Sequence, residues 1–352
     1  MIPIFIASNR SHTGKTFFAL GLARKLIELG YKVGYMKPLG KTPVKKGRDL
    51  FAADAVFMQE SLALAAPLKT ISPFVLSYET QNLILEGEVT DMKKQILDAI
   101  KAQEDKDVVI IGGAGDLFEG STLNIDGLTL IESTGAKVII VEAWLGHKSI
   151  DSLYGGHRLL GEHFIGGIFN KVPQNALGHV KEKVIPYLEK MCVPVFGMFP
   201  RDSLLESIAV RQIAGILNGK VLCCEDKLDE LVERFSIGAM DVDTALSYFS
   251  RTPNKAVITG ANRSDIQLVA METSTKCIII TGGLYTNDVV LGKAQSKGIP
   301  IISVPLDTFT VVDRIEAIIG KTSVCQKEKE IRIKELIDAN LDVDRVLKAI
   351  GK

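Results

Sequence analysis

Residues 8–16 read SNRSHTGKT, set between the apolar run IPIFIA (2–7) and the helix-like TFFALGLARKLIELG (16–30). Gly14-Lys15-Thr16 has the ending of a phosphate-binding loop. Such a loop works because backbone N–H groups and a helix N-terminus point at the phosphates. The lysine adds positive charge, and the Ser/Thr hydroxyl is a ligand for Mg2+. The strand before and the helix after are the context the motif requires. Asn9 stands where a glycine is usual, and Asn tolerates left-handed backbone better than most residues. The stretch therefore predicts a strand, a phosphate loop and a helix. Its expected nucleotide contacts are Ser11, His12, Thr13, Gly14, Lys15, Thr16 and Phe17.

The same alternation continues outward. YKVGYMK, DVVIIGG (107–113), AKVIIVEA (136–143), FIGGIFN (164–170) and VPVFGMF (193–199) read as strands. MKKQILDAIKAQ and HVKEKVIPYLEKM read as helices between them. Apolar strands without alternation imply burial on both faces, hence a parallel sheet with helices on each side. Ligands of such sheets lie beyond the carboxyl ends of the strands. The pattern restarts near residue 203, where LLESIAVRQIAGILNG reads as a helix and KVLC as a strand. NKAVITGANRSD and TKCIIITGGLYTND then echo each other, and IPIISV (299–304) follows. The expected organisation is an α/β nucleotide-binding domain at 1–202, a smaller α/β domain at 203–321 and a charged helical tail at 322–352. The short link MFPRDS predicts domains that are packed rather than loosely tethered.

Bulk properties narrow the function. The 352 residues suit two domains, and 46% hydrophobic content suffices for two cores. Formal net charge is zero, without long basic runs, which argues against nucleic acid. Five cysteines, an odd number without zinc-ligand spacing, fit reduced thiols in the cytoplasm. The opening MIPIFIASNR lacks a basic region, and its apolar run is too short for a signal peptide. No segment approaches the roughly 20 apolar residues that span a bilayer.

The stretch SNRSHTGKTFFALGLARKLIELGYKVGYMKPLG resembles the opening of the dethiobiotin synthetase family and the related amino-terminal domain of long bacterial phosphate acetyltransferases. Their loops also keep Gly-Lys-Thr without the usual first glycine. The resemblance implies a P-loop fold that binds ATP and Mg2+. It assigns Lys15 and Lys37 to the phosphates as catalytic cations, with Thr16 and Asp54 as metal ligands. It also implies that Asn170, in GGIFNKV, reads the adenine. NKVP lacks the Asp of the guanine-reading Asn-Lys-x-Asp pattern, which favours ATP. One position departs: the synthetases carry a Glu where VIIGGAGDLFEG has Gly112. Asp116 and Glu142 are candidate substitutes, and solvated loop acids are the alternative.

Residues from about 205 to 319 resemble the DRTGG domain, with Asn262-Arg263-Ser264 in its first turn and Thr281-Gly282-Gly283 in its second. Asn replaces the first Asp. Arg263 with the N–H groups of Thr281, Gly282 and Gly283 forms a candidate anion site, a purely structural turn being the alternative. The order of domains resembles the amino-terminal regulatory half of the long phosphate acetyltransferases. An acetyl-transfer site is not expected. The resemblance implies an ATP- and Mg2+-binding regulatory protein that senses nucleotide and dimerises or reports through its DRTGG domain. A homodimer is expected, with a phosphate acetyltransferase as candidate partner. The alternatives are an ATP-dependent ligase of the dethiobiotin or cobyrinate a,c-diamide synthetase type, and a scaffold that binds no nucleotide. A glutamine-dependent amidase would need a Cys–His glutaminase site, and no cysteine has that setting.

Overall fold

The computed structural model describes residues 1–316 and 327–352. Cys325, the expected boundary at 321/322 and the start of the tail lie outside the described residues. The chain divides into two compact units, Met1–Arg201 with Ser323–Lys352, and Asp202–Thr322.

The first unit is built on β1 (Ile2–Ala7), β2 (Val33–Met36), the hairpin β3 (Pro43–Lys46) and β4 (Asp49–Ala52), β5 (Val108–Gly112), β6 (Lys137–Ala143), β7 (Phe164–Val172) and β8 (Val195–Pro200). Six of these form a sheet in the order β2-β5-β1-β6-β7-β8, and all of its pairings are parallel. Ile4, Ile6, Val109, Ile110, Ile139 and Ile140 are inaccessible to solvent, as strands covered on both faces must be. The order reverses on either side of β1, so the loop after β1 lies at a topological switch point. Two helices position the site: α1 (Lys15–Glu28), which begins inside the phosphate loop, and α2 (Ala53–Ser61). The β3–β4 hairpin is not among the expected strands, although Gly47 at φ 65° makes its turn.

The tail departs from a single charged helix. It forms two helices, Lys327–Asn340 and Val343–Ala349, the second capped by the Asp342 side chain on the Arg345 amide. They belong to the first unit. Ile337 sits against α1 where a Cβ at Gly21 would come within 2.2 Å of it. Lys25 pairs with Asp338 at 2.6 Å, and Arg345 clasps Glu189 at 2.9 Å.

The second unit contains β9 (Ile208–Ala209), β10 (Lys220–Cys223), β11 (Leu231–Val232), β12 (Arg234–Ile237), β13 (Lys255–Gly260), β14 (Thr275–Thr281) and β15 (Ile301–Ser303). Its main sheet runs β10-β15-β14-β13-β12, with β10 antiparallel at the edge and the other pairs parallel. Apolar clusters cover both faces: Ile258, Ile279 and Ile302 lie in one, Val257, Ile278 and Ile301 in the other. LLESIAVRQIAGILNG is not one helix. A turn of helix (Ser203–Glu206) ends at Ser207, which is fully buried and extended; β9 then pairs with β11 before the helix Val210–Ile216. Strand pairing here overrides the helical spacing.

Candidate functional site

The loop from Ser8 to Gly14 links β1 to α1. Gly14, immediately before α1, has φ 101°, a conformation that side chains resist. The helix presents its first N–H groups at this end, where they attract anions. His12 also lies at positive φ, 60°. Thr13 is buried and its hydroxyl has no hydrogen-bond partner; Ser11 and His12 are exposed, Thr16 is half-buried and Phe17 is buried. Phe17 packs edge-on to Phe199 with ring centroids 5.3 Å apart, which fixes the first turn of α1 to the sheet.

Two lysines from different elements meet at one loop. Lys15 Nζ donates to the Gly115 carbonyl at 2.7 Å and to Ser8 Oγ at 2.6 Å. Lys37, buried just after β2, donates to the Gly113 carbonyl at 2.8 Å and pairs with Asp54 at 3.0 Å. Burial, and then the neighbouring charge of Lys37, push the Lys15 ammonium down to about 7 from 10.5, with Glu119 opposing. Lys15 is thus a desolvated cation held by neutral oxygens, a state in which an arriving anion gains most.

Gly112 closes β5 beneath this loop. A Cβ added there would lie 2.5 Å from the Tyr35 hydroxyl of β2. Tyr35 is 1% exposed, so its ring occupies the space a glutamate would need. Of the candidate substitutes, Asp116 accepts hydrogen bonds from the Phe118 and Glu119 amides and so shapes the loop. Glu142 is fully buried at the end of β6, paired with Arg10 and bonded to Ser152 at 3.0 Å. Burial pushes its carboxyl above the usual range, against the pull of Arg10. Glu119 was not singled out from the sequence. Its carboxylate accepts from the Gly115 amide, pairs with Lys41 and acts on the charge of Lys15. An acid four residues past a glycine-rich turn was the available signal.

Asn170 closes on the phosphate loop. Its Nδ2 donates to the Thr13 carbonyl at 2.8 Å, and its Oδ1 accepts from the Lys171 amide at 2.9 Å. Asn9 is bound to helix His147–Leu160, donating to the Ser152 carbonyl at 2.6 Å. In the second unit the anion site loses part of its expected donor set. The Gly282 and Gly283 amides donate to the carbonyls of Leu306 and Val304, each at 2.8 Å. Thr281 bonds to Thr308 at 3.0 Å. Arg263 pairs with Asp265 at 3.0 Å and donates to the Met240 carbonyl at 2.7 Å. Closure of the turn takes up these groups locally.

The first site has the right donors for a nucleotide with a hard cation. Thr16 and Asp54 offer hydroxyl and carboxylate oxygens, the chemistry Mg2+ prefers beside phosphate. Asp54 Oδ1 accepts from its neighbouring Ala55 amide and Oδ2 faces Lys37. Among the described residues no cluster of three His, Cys, Asp or Glu is placed to hold a metal by itself. A cation at this site would therefore rely on oxygens of the bound phosphate. No described helix is long and apolar enough to cross a membrane.

Two family models match the chain. The family model described as AAA domain matches residues 3–209, and the DRTGG domain matches residues 212–318. Phosphate acetyltransferase of Pseudomonas aeruginosa is 23% identical over 380 residues, covering 100% of this chain and 52% of that protein. Its Synechocystis counterpart is 24% identical over 296 residues, covering 81% of this chain and 42% of that protein. The chain spans about half the length of these relatives. Among solved structures, the MinD cell division protein of Aquifex aeolicus aligns with a TM-score of 0.37 and 16% identity over 57% of this chain and 83% of that one. The chain belongs to the AAA-domain family over residues 3–209 and carries a DRTGG domain behind it, a pairing homologous to part of phosphate acetyltransferase.

Proposed function

We propose that this chain is an ATP- and Mg2+-binding regulatory protein related to the amino-terminal half of phosphate acetyltransferase. It senses nucleotide in its first unit and dimerises or reports through its DRTGG domain. The observation that carries this reading is the pair of lysines tied to one loop. Lys15 and Lys37 hold the carbonyls of Gly115 and Gly113. Phosphate oxygens are stronger acceptors for ammonium groups than neutral carbonyls are. A bound triphosphate draws both lysines away and removes two ties from the loop that carries the exposed Phe118. A local charge event thereby becomes a change of surface. Asn170, Thr16 and Asp54 complete the proposed site. The proposed partner is a phosphate acetyltransferase, and the proposed assembly a homodimer.

Turnover is slow in this reading. When bound, ATP supplies a transferable phosphoryl group, and Mg2+ shields its charge. Lys15 and Lys37 orient and neutralise it, but the Tyr35 hydroxyl fills the space beside Gly112 where the synthetases keep a carboxylate. Calorimetric titration with ATP and Mg2+, with released phosphate assayed in the same samples, tests the reading. It predicts Kd on the order of micromolar with negligible phosphate release. Rapid release would support the carboxylate-ligase alternative. Absence of binding would leave a scaffold.

A further inference from the structure

Asn170 stands in the position where the family resemblance expects an adenine reader, yet its contacts lie with the phosphate loop. Three features place it there. The β7–β8 register shifts between Phe169 and Val172, and Lys171 takes φ 56°, so the strand is locally distorted at this residue. Such irregularities re-aim side chains near functional sites. The Asn170 backbone is itself fixed, its carbonyl accepting from the Trp144 amide at 2.8 Å. The side chain, on a residue 7% exposed, then donates to the Thr13 carbonyl.

That hydrogen bond fixes one peptide plane. In a trans peptide the carbonyl and the following N–H point in opposite directions. Holding the Thr13 carbonyl against Asn170 therefore turns the Gly14 N–H away from it. The arrangement needs glycine, because a Cβ at residue 14 would lie 2.1 Å from Asn170 Nδ2. Gly14 and Asn170 are thus complementary: one leaves the space, and the other fills it and orients the loop.

We propose that Asn170 is a positioning residue for the triphosphate, setting the Thr13–Gly14 peptide, rather than the residue that selects the base. The inference rests on the nucleotide-binding reading above. The two residue roles separate cleanly with a probe that has no base. Inorganic tripolyphosphate, ATP and GTP, each with Mg2+, are titrated calorimetrically into wild type, Asn170→Asp and Asn170→Ala. Asn170→Asp keeps shape and the acceptor for Lys171 but loses the donor to Thr13 and adds a negative charge that itself repels phosphate. Asn170→Ala loses the donor without that charge, so its losses decide the comparison. Far-ultraviolet circular dichroism and thermal melting identify the variants that remain folded.

The expected result is an equal loss, about tenfold or more, for all three ligands, as removal of one buried hydrogen bond from the loop would give. The ratio of ATP to GTP affinity stays unchanged. Unaltered tripolyphosphate binding together with a collapsed ATP:GTP ratio would overturn the inference and restore base reading. Wild type that binds none of the three would overturn the nucleotide reading and this inference with it.

Discussion

The two units solve the same topological problem and leave their strand ends in different electrostatic states. Each places glycine-rich turns beyond the carboxyl ends of parallel strands. In the first, Lys15 is desolvated and bonded to neutral oxygens, with its ammonium pushed down to about 7. In the second, Arg263 already has a carboxylate partner, Asp265, and the Gly282 and Gly283 amides are spent on carbonyls. An anion entering the first site gains interactions that the folded protein itself supplies only weakly. One reaching Arg263 must displace a carboxylate, as one reaching Lys37 must displace Asp54, so the contrast lies in Lys15. Similar chain geometry therefore does not imply similar ligand readiness, and the first site is the stronger candidate for binding.

Removing the cation that defines the contrast should have the largest effect. Lys15→Ala is expected to weaken ATP binding by at least about a hundredfold, the value of a charge-assisted contact in a desolvated site; isothermal calorimetry reads it directly. Packing tests come next. Ile337→Ala is expected to cost about 2–4 kcal/mol in chemical denaturation, because this tail residue is buried beside Gly21 of the phosphate-loop helix. A loss well below 1 kcal/mol would show that the tail is not part of that core. Gly112→Glu should lower stability by about 1–3 kcal/mol through collision with buried Tyr35, without restoring phosphate release. A gain in turnover would show that only the missing carboxylate limits the chemistry.

The pH dependence separates the units further. Lys15 titrates lower in the folded chain than its ordinary 10.5. From about pH 7 upward the folded chain gives up a proton that the unfolded chain keeps until near 10.5, so this group makes stability rise across that interval. Phosphate binding has the opposite dependence, because it requires the proton back. ATP affinity should fall by up to about tenfold per pH unit between roughly 7 and 9. The smallest effect belongs to the second unit: Arg263→Ala should change ATP affinity by less than about twofold, as loss of a solvent-exposed ion pair would.

Much of the framework was legible because it depends on local chemistry. Apolar strands, helix spacing and Gly14-Lys15-Thr16 announced a parallel sheet with a phosphate loop at the end of β1. Other features depend on contacts between distant residues. Gly112 reads as a missing carboxylate until Tyr35, from β2, is seen filling the space. Arg10 gained no meaning from the sequence because its partner Glu142 ends β6. Asn170 was singled out by family resemblance, but only the distorted β7 shows which atoms its amide meets. The tail's charges suggested one amphipathic helix, whereas the Asp342 cap and buried Ile337 make it two helices within the first unit. β9 escaped notice because two residues paired with β11 leave almost no periodic signal.

The most direct test of the central claim is the number of protons taken up when ATP and Mg2+ bind. Calorimetric titrations at pH 8 in buffers of different ionisation enthalpy give this number. Measurable binding is expected, accompanied by net uptake approaching one proton that is abolished in Lys15→Ala. No binding, or binding with unchanged proton count in wild type and Lys15→Ala, would contradict the claim that nucleotide phosphate is received by a desolvated Lys15.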